Sequence, residues 1–358
     1  MNYRIAEILA RAEYGEAMTK TEPILLTEVI SRIEVIFRAQ NASNALEDHP
    51  AANVPKVEVV DGSDVLFSLT GKQAQGVNWY DREKKPYSYI DGINDHWNTA
   101  MIGIDWGRKL YDPRLAFDPT RFKNPQVKVT FDENVCDTAA DNNTLEIRAH
   151  VFDERSASPE GFLMTKEHFS WALVASEPKY VELPTDYVTR QIYLQTLKNE
   201  HTFTTHLSNV KIDENQGKKV PYDLTTSELL REVVERYGYV MEHAYMKEAA
   251  TAAYFYPMAT DLGYGVSSAY GNAEAHNAWT LDGGKAAYIG AGITAKAKIL
   301  FFGVLPHGMM PVLMTDGQEI DDWYDVRNIK SLRLKVTSGA TLTGSPTAQV
   351  ITQQLRPY

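Results

Sequence analysis

The sequence predicts an all-β fold arranged as two tandem β-sandwiches. Short segments that alternate apolar and polar residues recur along the chain, and Gly, Asn, Asp and Pro separate them, which is typical of sandwiches and barrels. Helical patterns are few, and the strand–helix–strand alternation of a parallel sheet is missing. The length of 358 residues fits two domains or one large all-β unit.

Composition and charge limit the classes of function. The 36 basic and 47 acidic residues give a formal net charge of −11, which argues against a chain whose main task is to coat nucleic acid. Cys136 is the only cysteine, so we expect neither a disulfide framework nor a Cys-rich zinc site, and we expect assembly in a reducing cytoplasm. No stretch approaches about 18 uninterrupted apolar residues, and glutamates interrupt the N-terminal segment, so neither a membrane span nor a secretory signal is predicted.

Alternating segments in the first half predict five strands. Segments 57–60 and 65–69 flank Asp61-Gly62, which is a strong signal for a hairpin. Segments 32–38, 126–131 and 145–152 alternate in the manner of strands with one buried face.

Four segments have a helical pattern. The N-terminal segment 3–18 places Ile5, Ile8, Leu9 and Ala12 on one helix face. A short helix is predicted from residue 70 to 81. Segment 225–237 begins with a capping box and continues with apolar residues at helical spacing. Segment 240–256, rich in Ala, Met and Tyr, is also predicted to be helical.

The order of predicted elements in the first half recurs in the second half. Strands 32–38, 126–131 and 145–152 correspond to strands 190–194, 331–336 and 349–355, and strand 207–212 precedes the second helix. The opening strands are offset by 158 residues and the last strands by about 204, so the second copy contains an insertion of about 46 residues. Segment 239–290, rich in Ala, Gly and Tyr, is the candidate for this insertion.

Two copies of this size predict two neighbouring eight-stranded jelly rolls, each with two Greek keys. The polar stretch 153–161 is the expected break between them. The predicted domains are therefore an N-terminal helical segment at 1–27, a first jelly roll at 28–160, and a second jelly roll at 161–358 with an insertion at about 239–290.

The duplicated order, with segment 57–71 in the first copy and segment 187–194 opening the second, resembles the double jelly-roll major capsid proteins of tailless icosahedral viruses such as bacteriophages. The resemblance covers residues 28–358. It implies a virion protein, made in the host cytoplasm, that self-assembles as pseudo-hexagonal trimers into an icosahedral shell. It also implies barrels that stand roughly perpendicular to the capsid surface and an N-terminal segment on the inner side.

The expected partners are further copies of the chain, with minor capsid or spike proteins and an internal membrane as additional candidates. Direct nucleic-acid binding is not expected, and no cofactor is required. Twenty tyrosines are compatible with extensive subunit contact, and equally with the cores and loops of an ordinary β protein.

No catalytic, cofactor-binding or metal-binding residue is predicted, and the chain is not expected to be an enzyme. His201 and His206 are five residues apart, which in a strand points them to opposite faces. His96 lies near Asp91 and Asp95, but no partner nucleophile is recognisable, so a polar loop is the simpler interpretation. The glycine-rich run 263–271 lacks the ending of a phosphate loop, and a surface loop is expected there.

The N-terminal helix has three possible uses. It could pack on its own domain, on a neighbouring subunit or on lipid, and its excess of glutamate over arginine disfavours lipid. Contact with a neighbouring subunit is the working hypothesis. Deleting residues 1–20 should then leave soluble trimers that assemble poorly, and normal particles from that deletion would refute this hypothesis.

Two rival functions remain open. A carbohydrate-binding or carbohydrate-active β-sandwich protein would use aromatic loops to stack on sugar rings, and as an enzyme it would need two facing carboxylates. A different virion component, such as a spike or minor coat protein, is the second alternative.

Overall fold

The computed structural model describes residues 1–42, 46–137, 142–246, 249–269, 276–290, 297–315 and 317–358. These residues form a mostly β protein, as predicted, with short helices. The first half contains β1 (Tyr3–Glu13), β2 (Met18–Pro23), β3 (Ile30–Gln40), β4 (Lys56–Asp61), β5 (Asp64–Leu69), α1 (Gly71–Arg82), β6 (Ser88–Asp91), β7 (Trp97–Asp105), β8 (Pro125–Phe131) and β9 (Asn142–Phe152).

The second half is longer because several strands follow its main helix. It contains β10 (Gly161–Ala172), β11 (Pro178–Glu182), β12 (Val188–Gln195), α2 (Phe203–His206), β13 (Leu207–Glu214), β14 (Lys219–Thr225), α3 (Thr226–Tyr237), β15 (Val240–Met246), β16 (Ala249–Phe255), β17 (Asp261–Ala269), β18 (His276–Thr280), β19 (Ala286–Gly290), β20 (Ala297–Val304), β21 (Met309–Val312), β22 (Leu332–Ser338) and β23 (Thr347–Pro357). Short 3-10 turns occur at Pro50–Asn53, Pro119–Arg121, Glu133–Val135, Pro306–Gly308 and Ile320–Asp322.

The sheets repeat one strand order in the two halves. The order β1-β9-β3-β7 in the first half matches β10-β23-β12-β21 in the second, and β2-β8-β4-β5 matches β11-β22-β13-β14. Strands β3, β8 and β9 thus correspond to β12, β22 and β23, which is the correspondence predicted from sequence. The three-stranded sheet β16-β19-β18 forms within segment 239–290.

Irregularities in strand pairing recur at the same places in both halves. The β1–β9 register shifts between Glu7 and Leu9, and the β10–β23 register shifts between Glu167 and Phe169, 160 residues later. The β3–β9 register also shifts immediately after the first residue of β3. The β12–β23 register shifts at the corresponding place, near Arg190. Bulges change the direction and twist of a strand, so their repetition indicates that the two halves share one backbone design.

Parallel strand pairs join the two halves. Strand β5 pairs with β10, and β6 pairs with β15, so both eight-stranded sheets contain strands from each half. One large apolar cluster includes buried residues of both halves, among them Val35 and Ile192. Residues 153–160 connect β9 to β10, where the sequence predicts a break; the domain limits remain predictions.

The predicted N-terminal helix is wrong. Residues 3–13 form strand β1, which pairs with β9, and residues 18–23 form β2, which pairs with β8. Register shifts after Glu7 and after Leu9 interrupt the two-residue alternation of β1. The apolar residues consequently recur at intervals that imitate a helix, and pairing with β9 decides the conformation.

The predicted helix at 240–256 is also wrong, since β15 and β16 occupy most of this segment, and residues 247 and 248 lie outside the described residues. In β15 the side chains of Val240, Glu242, Ala244 and Met246 are buried and alternate with more exposed ones. This two-residue period shows that sheet pairing overrides the helical propensity of Ala and Met.

The two other helices are confirmed. Helix α1 begins after Thr70 and α3 after Thr225, and each has a complete capping box, with Gln73 or Glu228 returning the hydrogen bond. The Asp61-Gly62 hairpin between β4 and β5 is also confirmed, with Gly62 at a φ of +62°.

Candidate assembly unit and the junction between its halves

A buried polar cluster around Asp81 connects α1 to the second half. Gln353 Nε2 donates to Asp81 Oδ2 at 2.8 Å and the Tyr193 hydroxyl donates to Oδ1 at 3.1 Å. The Arg190 guanidinium forms an ion pair with the same carboxylate and donates through Nε to the carbonyl of Gly317 at 2.9 Å. Helix α1 is thereby fixed to β12 and β23.

Because the Asp81–Arg190 ion pair is buried, breaking it would be energetically costly. Burial on its own would lower the pKa of Arg190, but the charge and hydrogen bond of Asp81, together with Tyr193 and Tyr237, raise the pKa overall, so the guanidinium stays charged. Removing one partner from a buried ion pair leaves an uncompensated charge, which is far costlier than losing a surface pair. The cluster therefore favours one relative placement of the two halves.

A second buried cluster surrounds Glu242 in β15. Lys85, in the turn after α1, lies 3.0 Å from Glu242 Oε1, and the backbone N–H of Met258 donates to Oε2 at 2.8 Å. His49 Nδ1 accepts from the N–H of Ala51, so its proton lies on Nε2, which is 3.5 Å from Glu242 Oε2. Lys85 and His49 belong to the first half, so this cluster also crosses the junction.

The pKa of Glu242 reflects a balance of opposing effects. Burial alone would raise it, but the charge of Lys85, the contact with His49 and the Met258 N–H together hold it below its ordinary range. Glu242 is therefore ionised in the folded protein at neutral pH, and its charge is compensated across the junction.

His307 completes the second cluster. Its ring lies edge-on to that of His49, with centroids 4.6 Å apart, and its Nε2 lies 3.0 Å from Oε1 of Gln75 in α1. Burial, with the neighbouring His49 and Lys72, lowers the pKa of His307 well below its ordinary value. The ring is therefore neutral at physiological pH.

Sequence reasoning did not single out either cluster. Arg190 lies in a predicted strand whose later residues are apolar, and Glu242 lies in a segment interpreted as a helix. The sequence does contain one signal for such clusters, namely a charged residue within a strand that is otherwise apolar and buried. Such a residue requires a partner of opposite charge.

The structure brings together His96 and Asp91, which the sequence singled out. His96 Nδ1 lies 3.0 Å from Asp91 Oδ2, the Tyr89 hydroxyl donates to the same oxygen at 3.2 Å, and the Asp91 N–H donates to Asn98 at 2.7 Å. Asp95 lines the same shallow hollow. These bonds hold the β6–β7 turn together, in agreement with the polar-loop interpretation.

His206 is the last residue of the short helix α2, and His201 lies just before this helix. The strand geometry that we considered from the sequence therefore does not apply to this pair. Their ring centroids are 5.8 Å apart. Burial, with nearby His201 and Lys198, lowers the pKa of His206 to about 4. Within the described ranges, no group of three or more His, Cys, Asp or Glu side chains could hold a metal ion.

The surface loop predicted at 263–271 is wrong for most of its length. Residues 263–269 belong to strand β17, which pairs with β20. Residues 270 and 271 lie outside the described residues. The sheet pairing of β17 was not detectable in a segment rich in glycine, because glycine is rare in strands.

Comparison with known proteins gives no match in sequence and a clear match in structure. No protein-family model and no curated protein matches the chain. The major capsid protein from bacteriophage PM2 matches 99% of this chain and 98% of its own, with a TM-score of 0.57 and 11% identity. A chain of Sulfolobus Turreted Icosahedral Virus matches 100% of this chain and 92% of its own, with a TM-score of 0.65 and 10% identity. The fold is the double jelly roll.

A chain of the PBCV-1 virus capsid gives a similar result, with a TM-score of 0.57, 10% identity and coverage of 99% and 94%. At 10 or 11% identity the likeness is one of fold. The double jelly roll was predicted from the duplicated order of strands, and the structure confirms it.

The outer surface of this double jelly roll includes isolated exposed apolar side chains. Ile5 in β1 is 56% exposed, and Val220 in β14 is 43% exposed. The tyrosines divide between surface and interior: Tyr87 and Tyr239 are exposed, whereas Tyr193 is buried. Among the described helices, none has the length and apolar character needed to cross a membrane.

Proposed function

We propose that the protein is a viral major capsid protein that associates with copies of itself to form an icosahedral shell. The observation on which this rests is the likeness in fold to the PM2 major capsid protein over 99% of this chain and 98% of that one. Its site of action would be the virion, and its mechanism would be assembly without turnover.

The two similar halves support a trimer as the unit of assembly. Each chain contributes two jelly rolls of one strand order, so three chains in a ring present six similar units with a pseudo-hexagonal outline. Such a unit must be rigid, because movement of one half relative to the other would disrupt its contacts with neighbouring subunits. The buried Asp81–Arg190 and Lys85–Glu242 pairs supply this rigidity.

The net charge of −11 supports the same function, since it keeps free capsomers soluble before assembly. We retain the proposal that the N-terminal segment contacts a neighbouring subunit. The contact would be made by a strand and not by the amphipathic helix that the sequence predicted. We propose minor capsid proteins, spike proteins and an internal membrane as the additional partners of the particle.

Light scattering on the purified chain tests this function. We expect a stable trimer that adds further subunits at higher concentration. A strict monomer at all concentrations that binds glycans would overturn the proposal in favour of a carbohydrate-binding β-sandwich protein.

A further inference from the structure

One of the two parallel strand pairs that join the halves is formed by edge strands. Strand β5 ends one sheet of the first half, and β10 begins one sheet of the second half. They pair in parallel, Phe67 with Thr165 and Ser68 with Lys166, and the ammonium of Lys166 donates to the carbonyl of Val65 at 3.1 Å. This pairing extends one sheet continuously across the junction.

Both strands of this junction have a counterpart in the other half. By strand order, β14 corresponds to β5, and β1 corresponds to β10. In the sheets formed by the described residues, β14 is a terminal strand beside β13, and β1 is a terminal strand beside β9. Each therefore has one edge whose backbone N–H and C=O groups are not used by a neighbouring strand.

We propose that β14 of one copy pairs in parallel with β1 of the next copy, repeating between subunits the β5–β10 contact within each chain. The proposal deepens the proposed function, because it takes the chain to be a subunit of a ring and names the surfaces that close it. Each copy has one edge of each kind, so the contact is head-to-tail, and a rotation of about 120° between successive copies closes it into the ring of three that the proposed function requires.

The repeated features of the two halves fix the register of this contact. The shared bulge relates Glu7 to Glu167, an offset of 160 residues, and the shared helix caps relate Thr70 to Thr225, an offset of 155 residues. Applied to the internal pairs Phe67–Thr165 and Ser68–Lys166, these offsets place Tyr222 beside Ile5 of the neighbour and Asp223 beside its Ala6.

Side-chain exposure agrees with this register. Thr165 is 1% exposed where β5 covers β10, whereas its counterpart Ile5 is 56% exposed. Phe67 is buried at the internal junction, whereas its counterpart Tyr222 is half-buried and borders a surface cavity of about 450 Å³ that Leu224 and Leu313 also line. A neighbouring β1 would cover Ile5 and fill space beside Tyr222.

Local features restrict the edges to a short contact. The shifts after Glu7 and Leu9 bend β1, and Pro221 removes one donor from β14. Bulges and edge prolines discourage indiscriminate pairing with other strands. The internal junction is itself only two residue pairs long, so a short contact is sufficient for this geometry.

Cross-linking tests the proposal in the full chain. The double variant Ile5→Cys/Val220→Cys places one thiol on each edge, on residues that the proposed register sets diagonally across the contact. The native Cys136 is buried and does not compete for reagent. With a short bis-maleimide, we expect covalent dimers and trimers on a denaturing gel. The matched control Ile5→Cys/Val174→Cys carries its second thiol on another exposed valine and should give at least tenfold less cross-linked product.

Light scattering on the same samples separates the two proposals. A trimer whose Ile5/Val220 thiols do not cross-link, or cross-link no better than the control, would overturn the β14–β1 contact and leave the capsid function standing. A strict monomer would overturn both. Trimers that are cross-linked selectively through the Ile5/Val220 pair support the contact.

Discussion

The ammonium of Lys85 lies 3.0 Å from the carboxylate of Glu242, and the two residues belong to different halves of the chain. Glu242 is fully buried, whereas Lys85 keeps part of its side chain in solvent. The lysine therefore neutralises a charge that water cannot reach. The double jelly roll consequently depends on charge compensation across its junction as well as on apolar packing.

Replacing Lys85 with Met should destabilise the protein strongly, because it leaves Glu242 buried without its cation. We expect the free energy of unfolding to fall by about 3–5 kcal/mol, measured by guanidinium unfolding. As a control, Lys211→Met removes a cation from the exposed pair with Asp223 and should cost about 0–1 kcal/mol. Equal effects of the two variants would contradict this view of the junction.

His307 and Glu242 should each contribute a loss of stability in acid, and the contribution of His307 should begin to be lost below about pH 6.5. His307 has a lowered pKa in the folded state, so below the ordinary histidine pKa of about 6.5 the unfolded chain binds a proton that the folded chain does not. The lowered pKa of Glu242 has the same sign, and its contribution is lost below about pH 4.3, as the pH falls toward its folded pKa. Each group changes the free energy of unfolding by at most about 1.4 kcal/mol per pH unit.

Unfolding measurements between pH 8 and pH 4 test the acid effect. The variant His307→Gln should reduce the change in the free energy of unfolding with pH in the upper part of this pH range. It removes one titrating group while keeping a polar side chain opposite Gln75. A profile that this variant leaves unchanged would show that His307 does not contribute.

Asp261 should act in the opposite direction. Burial raises its pKa to about 7, against the hydrogen bond donated by the Phe203 N–H at 2.7 Å. The folded state therefore holds an extra proton between about pH 3.9 and pH 7, and stability from this group is lost as the pH rises through that window. Asp261→Asn retains an acceptor for Phe203 and should stabilise the protein by about 1–3 kcal/mol at pH 8. The gain should vanish near pH 4, and a gain independent of pH would refute the assignment.

Gly103→Ala should be severely destabilising. A Cβ atom at Gly103 would lie 2.1 Å from the guanidinium of Arg32. That buried guanidinium is bound to Asp105 at 3.2 Å, and displacing it would cost about 3–5 kcal/mol, measured by thermal or denaturant unfolding. Gly15→Ala is the control, because nothing lies within 4 Å of its added Cβ. Comparable stability of the two variants would show that Arg32 can move at little cost.

The sequence predicted those elements whose signals are local. The Asp61-Gly62 turn, the capping box at Thr225 and the alternating core strands were all recognisable, because a turn, a cap or a half-buried strand is specified within a few residues. The repeated order of these elements then indicated the double jelly roll.

The failures occurred where pairing with distant residues decides the structure. Strand β1 imitates a helical pattern because it is bulged, and β15 has helix-favouring residues in a strand that pairs with β20. In both segments the hydrogen bonds come from partners far away in the sequence, and their register is not encoded locally.

The sequence by itself determined that this is an acidic, all-β protein with one cysteine and a duplicated order of strands. Only the tertiary structure decided which charges are buried together at the junction and which strand edges remain open. Ion pairs such as Lys85–Glu242, and edges such as β1 and β14, are defined by three-dimensional proximity. Residues separated by more than 150 positions carry no mark of that proximity in a single sequence.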